Sequence, residues 1–124
     1  RRSEIVPVAD PPGPGNPLLV ELACEHVTEL FAGYGERGVR AEEVAERVVQ
    51  EVRSYLVTDV PVGAHLADQL ILPLALAGGG TFRTLPLTPH TETNLEVVQR
   101  FLPIRSRCVP EGKDCVRVEI ERTA

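Results

Sequence analysis

The residues best suited to chemistry lie between Ala64 and Leu102. His65, Asp68 and Gln69 sit in an apolar run, and His90 follows Pro89 and precedes Thr91-Glu92-Thr93-Asn94. His65, Asp68 and Gln69 fall at i, i+3 and i+4, so a helix would place them on one side. Leu66, Leu70, Leu72, Leu74 and Leu76 would cover most of the rest. A run this apolar predicts an inner helix, on which polar groups need partners or a task. His90 stands just before a predicted helix start, where free N–H groups favour an anion. Its imidazole has three uses open to it: nucleophile toward a phosphorus centre, general base, or hydrogen-bonding cap. Nucleophilic use requires a neutral ring with one nitrogen free and the other hydrogen-bonded. Asp68 could orient that ring or hold a cation, and Gln69 could bind a nucleotide or phosphate oxygen. The separations among His65, Asp68 and His90 follow no metal-site spacing, so no metal ligands are assigned.

The elements that must position these groups follow from the pattern. Residues 1–17 hold Pro11-Pro12-Gly13-Pro14-Gly15-Asn16-Pro17 and read as an arm or linker, since proline removes donors and constrains its predecessor. Alternation predicts strands over Leu18–Ala23 and Val27–Gly33, with Leu18, Val20 and Leu22 sharing a face. Gly33, Gly35 and Gly38 read as a mobile turn. Val44, Val48, Val52 and Tyr55 or Leu56 predict an amphipathic helix over Ala41–Leu56, with Glu43 and Arg47 as an i,i+4 ion pair. In the second helix Pro73 should kink or divide the run, and Gly78-Gly79-Gly80 should end it. Thr81–Leu87 reads as a strand. The third helix is predicted from about Thr93 to Leu102, with Thr93 and Glu96 as a capping box. Ile104–Val109 and Val116–Ile120 close the pattern as a hairpin that turns Val116, Val118 and Ile120 inward. Five strands and three helices imply an α+β, two-layer α/β sandwich in which helices pack a mixed sheet.

Composition bounds the class. A chain of 124 residues with 43% hydrophobic and 25% charged content is an ordinary folded protein rather than a disordered one. With aromatics at 4%, the core must be mainly Leu, Val and Ala. A net charge of −5 argues against unspecific nucleic-acid binding while leaving room for a local basic pocket. Lys113 is the single lysine among 13 basic residues, and the arginines form no run. No methionine is present, even at residue 1, which is the expectation for a fragment or processed chain. No secretion signal or long charge-free apolar run appears, so no membrane partner and a cytoplasmic setting are expected. Cys24, Cys108 and Cys115 lack metal-site spacing. Cys108 and Cys115 could face each other across the hairpin, and a reduced pair is the reading taken.

The run His65-Leu66-Ala67-Asp68-Gln69-Leu70-Ile71-Leu72-Pro73-Leu74-Ala75-Leu76-Ala77-Gly78, followed by His90-Thr91-Glu92-Thr93-Asn94-Leu95-Glu96-Val97-Val98, resembles the RNA 3'-terminal phosphate cyclases. Pro12-Gly13-Pro14-Gly15-Asn16, Glu25-His26-Val27-Thr28-Glu29 and Gly35-Glu36-Arg37-Gly38-Val39 are similar as well. The resemblance covers nearly the whole chain but only about the last third of the family's usual length. It implies that residues 18–124 are the C-terminal portion of a catalytic large domain. That domain is built in the family from three repeats of a four-stranded sheet with two helices.

The resemblance further implies ATP-dependent conversion of an RNA 3'-phosphate to a 2',3'-cyclic phosphate. In the family a histidine attacks the α-phosphate of ATP, histidine-AMP passes AMP to the RNA phosphate, and the adjacent 2'-hydroxyl displaces it. His90 matches the nucleophile, and Asp68 and Gln69 match residues beside the nucleotide. His65 stands where bacterial relatives often carry an aromatic that stacks on adenine. Implied partners are ATP, a divalent cation (Mg or Mn), RNA with a 3'-terminal phosphate, and the missing N-terminal part of the same protein, whose arginines finish the pocket. A phosphoramidate suits this route, because protonation of its nitrogen assists its loss. The competing readings are a non-catalytic cyclase-like ribosome-assembly factor, which would lack His90, and a small nucleic-acid-binding module, which would need a basic face. A part taken from a larger domain should also expose an apolar face, expected around Leu66, Leu70 and Leu74 or on the outer sheet surface.

Overall fold

The computed structural model describes residues 3–123; Arg1, Arg2 and Ala124, the outer ends of the arm and of the 18–124 region, lie outside the described residues. Residues 3–16 contain no helix or strand and are exposed, consistent with their proline content. The elements that follow are β1 (Pro17–Ala23), β2 (Thr28–Tyr34), α1 (Ala41–Leu56), α2 (Ala64–Ala77), β3 (Gly79–Thr84), α3 (Pro89–Phe101), β4 (Ile104–Pro110) and β5 (Val116–Arg122).

The α+β character stands, but the single mixed sheet does not. The strands form two sheets, β1-β2 and β3-β5-β4, and every ladder is antiparallel. An isolated bridge, Val62 to Thr84, supplies parallel pairing beside β3. Alternation identifies a strand but not its neighbour, so the sheet could not be divided from sequence alone.

In the first region α1 lies on the β1-β2 hairpin. Val44, Val48 and Tyr55 are its buried stripe, and Glu42 and Glu43 in the first turn and Arg53 in the last complement the helix dipole. Gly33 belongs to β2 rather than to a mobile turn. A Cβ there would lie 2.5 Å from Val48 Cγ2 and 3.0 Å from Val44 Cγ1, so the missing side chain is what lets the helix approach the strand. Arg47 pairs with Glu36 at 3.2 Å instead of with Glu43, because the turn before α1 brings Glu36 alongside. Phe31, Val48, Tyr55, Val60 and Cys115 make this region's core, and the Phe31 and Tyr55 rings lie 5.7 Å apart.

In the second region α2 and α3 cover one face of the three-stranded sheet. Ala67, Ile71 and Ala75 from α2, with Leu95 and Val98 from α3, meet Phe82, Ile104, Val118 and Ile120 from the strands. The helix expected to be enclosed therefore lies in the outer layer. Leu72 is 48% exposed and Leu76 67%, whereas Leu66, Leu70 and Leu74 pack against the core. Uniform hydrophobicity cannot say which side of a helix a sheet will cover. Exposed apolar surface on α2 is thus the Leu72–Leu76 side rather than Leu66, Leu70 and Leu74, while Leu19, Leu30 and Tyr34 expose apolar surface on the β1-β2 sheet, the other place expected.

Three boundaries moved for local reasons. Pro73 does not divide α2, which runs on to the left-handed C-cap expected in the glycine run, at Gly78 with φ of 94°. The next two glycines open β3, which stops at Thr84. Thr88, not Thr93, caps α3. Its hydroxyl accepts from the Thr91 N–H at 3.2 Å, Pro89 takes the first helical position, and the Thr93 hydroxyl donates back to the Pro89 carbonyl.

The closing strands carry two further details. Gln99 Oε1 accepts from the Ser106 N–H of β4 at 2.8 Å, and Gln99 Nε2 donates to the Leu95 carbonyl. Cys108 is opposite Val118 in the β4-β5 register, and Cys115 is buried ahead of β5, so the two do not face each other; all three cysteines are free. Partial desolvation, then the Glu92 charge, pushes the thiol of the exposed Cys108 upward. No described helix is long and apolar enough to cross a membrane.

Candidate active site

His90 is the second residue of α3, inside its first turn rather than ahead of it. Pro89 has no N–H and the Thr91 N–H is taken by Thr88, while the Glu92 N–H already donates to the Thr88 carbonyl. The His90 amide is therefore the first-turn donor left for an anion, a smaller endowment than an open helix start. The helix dipole still favours negative charge at this end.

The imidazole does not stand alone. His90 Nε2 is 3.2 Å from Asp68 Oδ2. The ring is 81% exposed, while Asp68 is 24% exposed where α2 meets α3. Asn94, one turn beyond His90 on the same side of α3, donates its amide to Asp68 Oδ1 at 2.8 Å and to the Asp68 carbonyl at 3.1 Å. The carboxylate thus faces an amide with one oxygen and an imidazole with the other. One ring nitrogen is engaged and one is free, and rotation of the exposed ring can exchange them. This is the condition a nucleophilic or basic imidazole needs.

His65 and Gln69 point elsewhere. They are exposed, and with Leu66 they line a cleft of about 390 Å³ closed on the other side by Glu29, Leu30 and Tyr34 of β2. The four residues singled out from sequence therefore divide. Asp68 and His90 come together, while His65 and Gln69 share a different opening on the next side of the same helix. An imidazole, a phenol ring and an amide around a cleft of this size can receive a flat, polar heterocycle.

Two contributors were not singled out from sequence. Asn94 carries a signal, since it is four residues after His90 on a helix. Glu29 carries another: it alternates into the same face as Phe31, an unusual place for a carboxylate. Glu29 is 3% exposed, and its Oε1 accepts from the Gly63 N–H at 2.5 Å, at the residue that caps α2. A buried negative charge at a helix N-terminus meets both its free donors and its dipole. It fixes where α2 begins and hence where His65, Asp68 and Gln69 are carried.

A divalent cation fits poorly. Among the described residues no group of three or more His, Cys, Asp or Glu side chains could hold a metal ion. Asp68 already faces Asn94 and His90, and Glu29 is turned to a main-chain donor.

A family model for RNA 3'-terminal phosphate cyclase matches residues 11–108. Proteins described as RNA 3'-terminal phosphate cyclase are similar over most of the chain. The one from Pseudomonas fluorescens is 44% identical over 120 residues, covering 95% of this chain and 35% of its own. That from Ectopseudomonas mendocina is 46% identical over 110 residues, covering 89% and 32%. That from Salmonella enteritidis is 54% identical over 96 residues, covering 77% and 28%. The chain spans about a third of the length of these relatives. It belongs to the RNA 3'-terminal phosphate cyclase family.

Proposed function

We propose that this chain carries the nucleophile and part of the nucleotide cleft for ATP-dependent conversion of an RNA 3'-phosphate to a 2',3'-cyclic phosphate. The observation that carries the reading is the His90–Asp68 contact at 3.2 Å, in a chain of this family. One imidazole nitrogen of His90 forms a bond to the α-phosphorus of ATP. The bond from that phosphorus to the bridging oxygen breaks, and pyrophosphate leaves with the electron pair. The positive charge that develops on the ring is offset by Asp68, which also holds the ring's orientation. AMP then passes from His90 to an oxygen of the RNA 3'-phosphate, and the neighbouring 2'-hydroxyl displaces it to close the ring.

His65 and Tyr34 flank the adenine and Gln69 hydrogen-bonds the nucleotide. This assignment is supported by their common cleft, and base–aromatic stacking is worth about 1–3 kcal/mol. Among the described residues no set of side chains meets the family's need for a divalent cation. The remaining contacts to ATP and RNA fall to parts of the relatives that this chain does not match. The uncovered Leu72 and Leu76 of α2 and Phe101 of α3 supply apolar surface for such contacts.

The test is covalent labelling. The complete gene product carrying this chain would be incubated with ATP labelled at the α-phosphate and Mg or Mn. Wild-type protein should retain acid-labile label and the His90→Ala protein should retain none. Equal label on both would reject His90 as the nucleophile.

A further inference from the structure

We propose that Asn94 is a positioning residue for the adenylylation step, holding the Asp68 carboxylate so that one oxygen stays turned toward His90. The inference rests on the reading of His90 as the nucleophile and adds a residue that the reaction scheme alone does not require.

The geometry carries it. His90 is 81% exposed and its side-chain partner is Asp68, so the ring takes its orientation from that carboxylate. A carboxylate at the end of two rotatable bonds would swing between several orientations unless held. Asn94 Nδ2 reaches both the Asp68 carbonyl, at 3.1 Å, and Asp68 Oδ1, at 2.8 Å. One donor bound to the main chain and the side chain of the same residue fixes the side chain against its own backbone. Oδ2 is then left 3.2 Å from His90 Nε2. Position passes from Asn94 to Asp68 to His90, and α3 supplies both ends of the relay from one face. Reacting groups lose rate steeply when misplaced, so a residue that never meets the nucleotide can still govern the step.

The plainer role for Asn94 is a clasp, since its hydrogen bonds tie α3 to α2 across 26 residues of sequence. The two roles part in an exchange of the pair. Asp68→Asn combined with Asn94→Asp keeps one amide and one carboxylate in contact, but an aspartate at 94 cannot donate to the residue-68 carbonyl, so only the side-chain half of the clasp is kept. The exchange removes the carboxylate from the position that faces His90.

The complete gene product would be prepared as wild type, Asn94→Ala, Asp68→Asn, and the exchanged double variant. Single-turnover labelling with α-labelled ATP and thermal unfolding would be measured on each. Asn94→Ala should label roughly 10- to 100-fold more slowly with an unchanged KM for ATP. The exchanged variant should recover part of the Tm lost by Asp68→Asn while its labelling stays as slow as that of Asp68→Asn. Labelling of Asn94→Ala at the wild-type rate overturns the proposal. So does an exchanged variant that recovers rate and Tm together, which would make Asn94 a clasp alone. Should Asn94→Ala fail to fold, Asn94→Gln, which keeps the amide but shifts it by one methylene, is measured in its place: slowed labelling with an unchanged KM supports the proposal, and labelling at the wild-type rate overturns it. Wild-type protein that takes no label overturns the His90 reading and this inference with it, an outcome distinct from a labelled wild type with an equally fast Asn94→Ala.

Discussion

Asp68 and Gln69 are neighbours in the chain, yet α2 turns them into opposite settings. Asp68 is half-buried against α3, with one oxygen on Asn94 and the other on His90. Gln69 is exposed beside His65 in an open cleft, with no side-chain hydrogen bond among the described residues. The contrast separates two demands made on a single helix. Atoms that form and break bonds must be held to a fraction of an ångström, and the Asp68 side meets this with fixed partners. Groups that only recognise a ligand can keep their freedom until it arrives, and the His65–Gln69 side does so.

Changes on the held side should therefore act on rate, and changes on the open side on binding. The largest effect expected is from Asp68→Asn, which keeps shape but removes the charge facing His90. Covalent labelling should slow by about 10²-fold or more, with the KM for ATP little altered. A rate loss under threefold would merge the two sides into one. Next comes His65→Ala, which should raise the KM for ATP about 10-fold with the rate of label transfer at saturation preserved. Gln69→Ala should follow in the same direction by a smaller factor, the loss of about one hydrogen bond, or ~1 kcal/mol. A drop in the saturated rate for either would place the open side in the chemistry.

The smallest effect separates the two cores rather than the two sides. Tyr55 donates to the Pro61 carbonyl at 3.0 Å, so Tyr55→Phe should cost ~1 kcal/mol at neutral pH. Burial first, then the Glu29 charge and Cys24, holds its phenol above the ordinary value of 10.0. A phenol raised in this way keeps its proton in the folded state after the unfolded chain has lost it. Its contribution is complete below pH 10.0 and is lost as pH rises through the raised value. Urea unfolding at about pH 8 and about pH 10.5 should show the wild type losing more stability than Tyr55→Phe, with label transfer at neutral pH unaffected. Equal losses would remove the phenol from the alkaline transition.

The sequence was informative where local pattern and tertiary use agree. The α1 stripe of Val44, Val48 and Tyr55 is regular enough that its predicted span, Ala41–Leu56, is the observed one. Pattern failed where two local signals competed: Thr93 with Glu96 suggested a capping box, but Thr88 followed by Pro89 is the stronger start. It failed for α2 because leucines on every side conceal which side is covered. His90 and Asp68 could be singled out by type and by family resemblance. Their contact, and the intervention of Asn94, depend on α2 and α3 lying side by side, which no spacing within either helix encodes. Glu29 and Gly63 are likewise joined across 34 residues, where only the odd placement of a carboxylate beside Phe31 gave a hint.

The Gln99 amide over the Ser106 N–H bears on how this molecule meets other chains. β4 is a terminal strand of its sheet, and a terminal strand ordinarily presents donors and acceptors that template further strands. Here one of those donors is already satisfied by a side chain of the covering helix, so an incoming strand would have to displace Gln99 before it could align. The opposite margin differs: β3 meets the chain near Val62 through a single bridge at Thr84, and the ladder goes no further. The two borders therefore meet an incoming strand differently: one donor of β4 is already occupied by a covering side chain, whereas β3 carries a short parallel bridge to the chain itself.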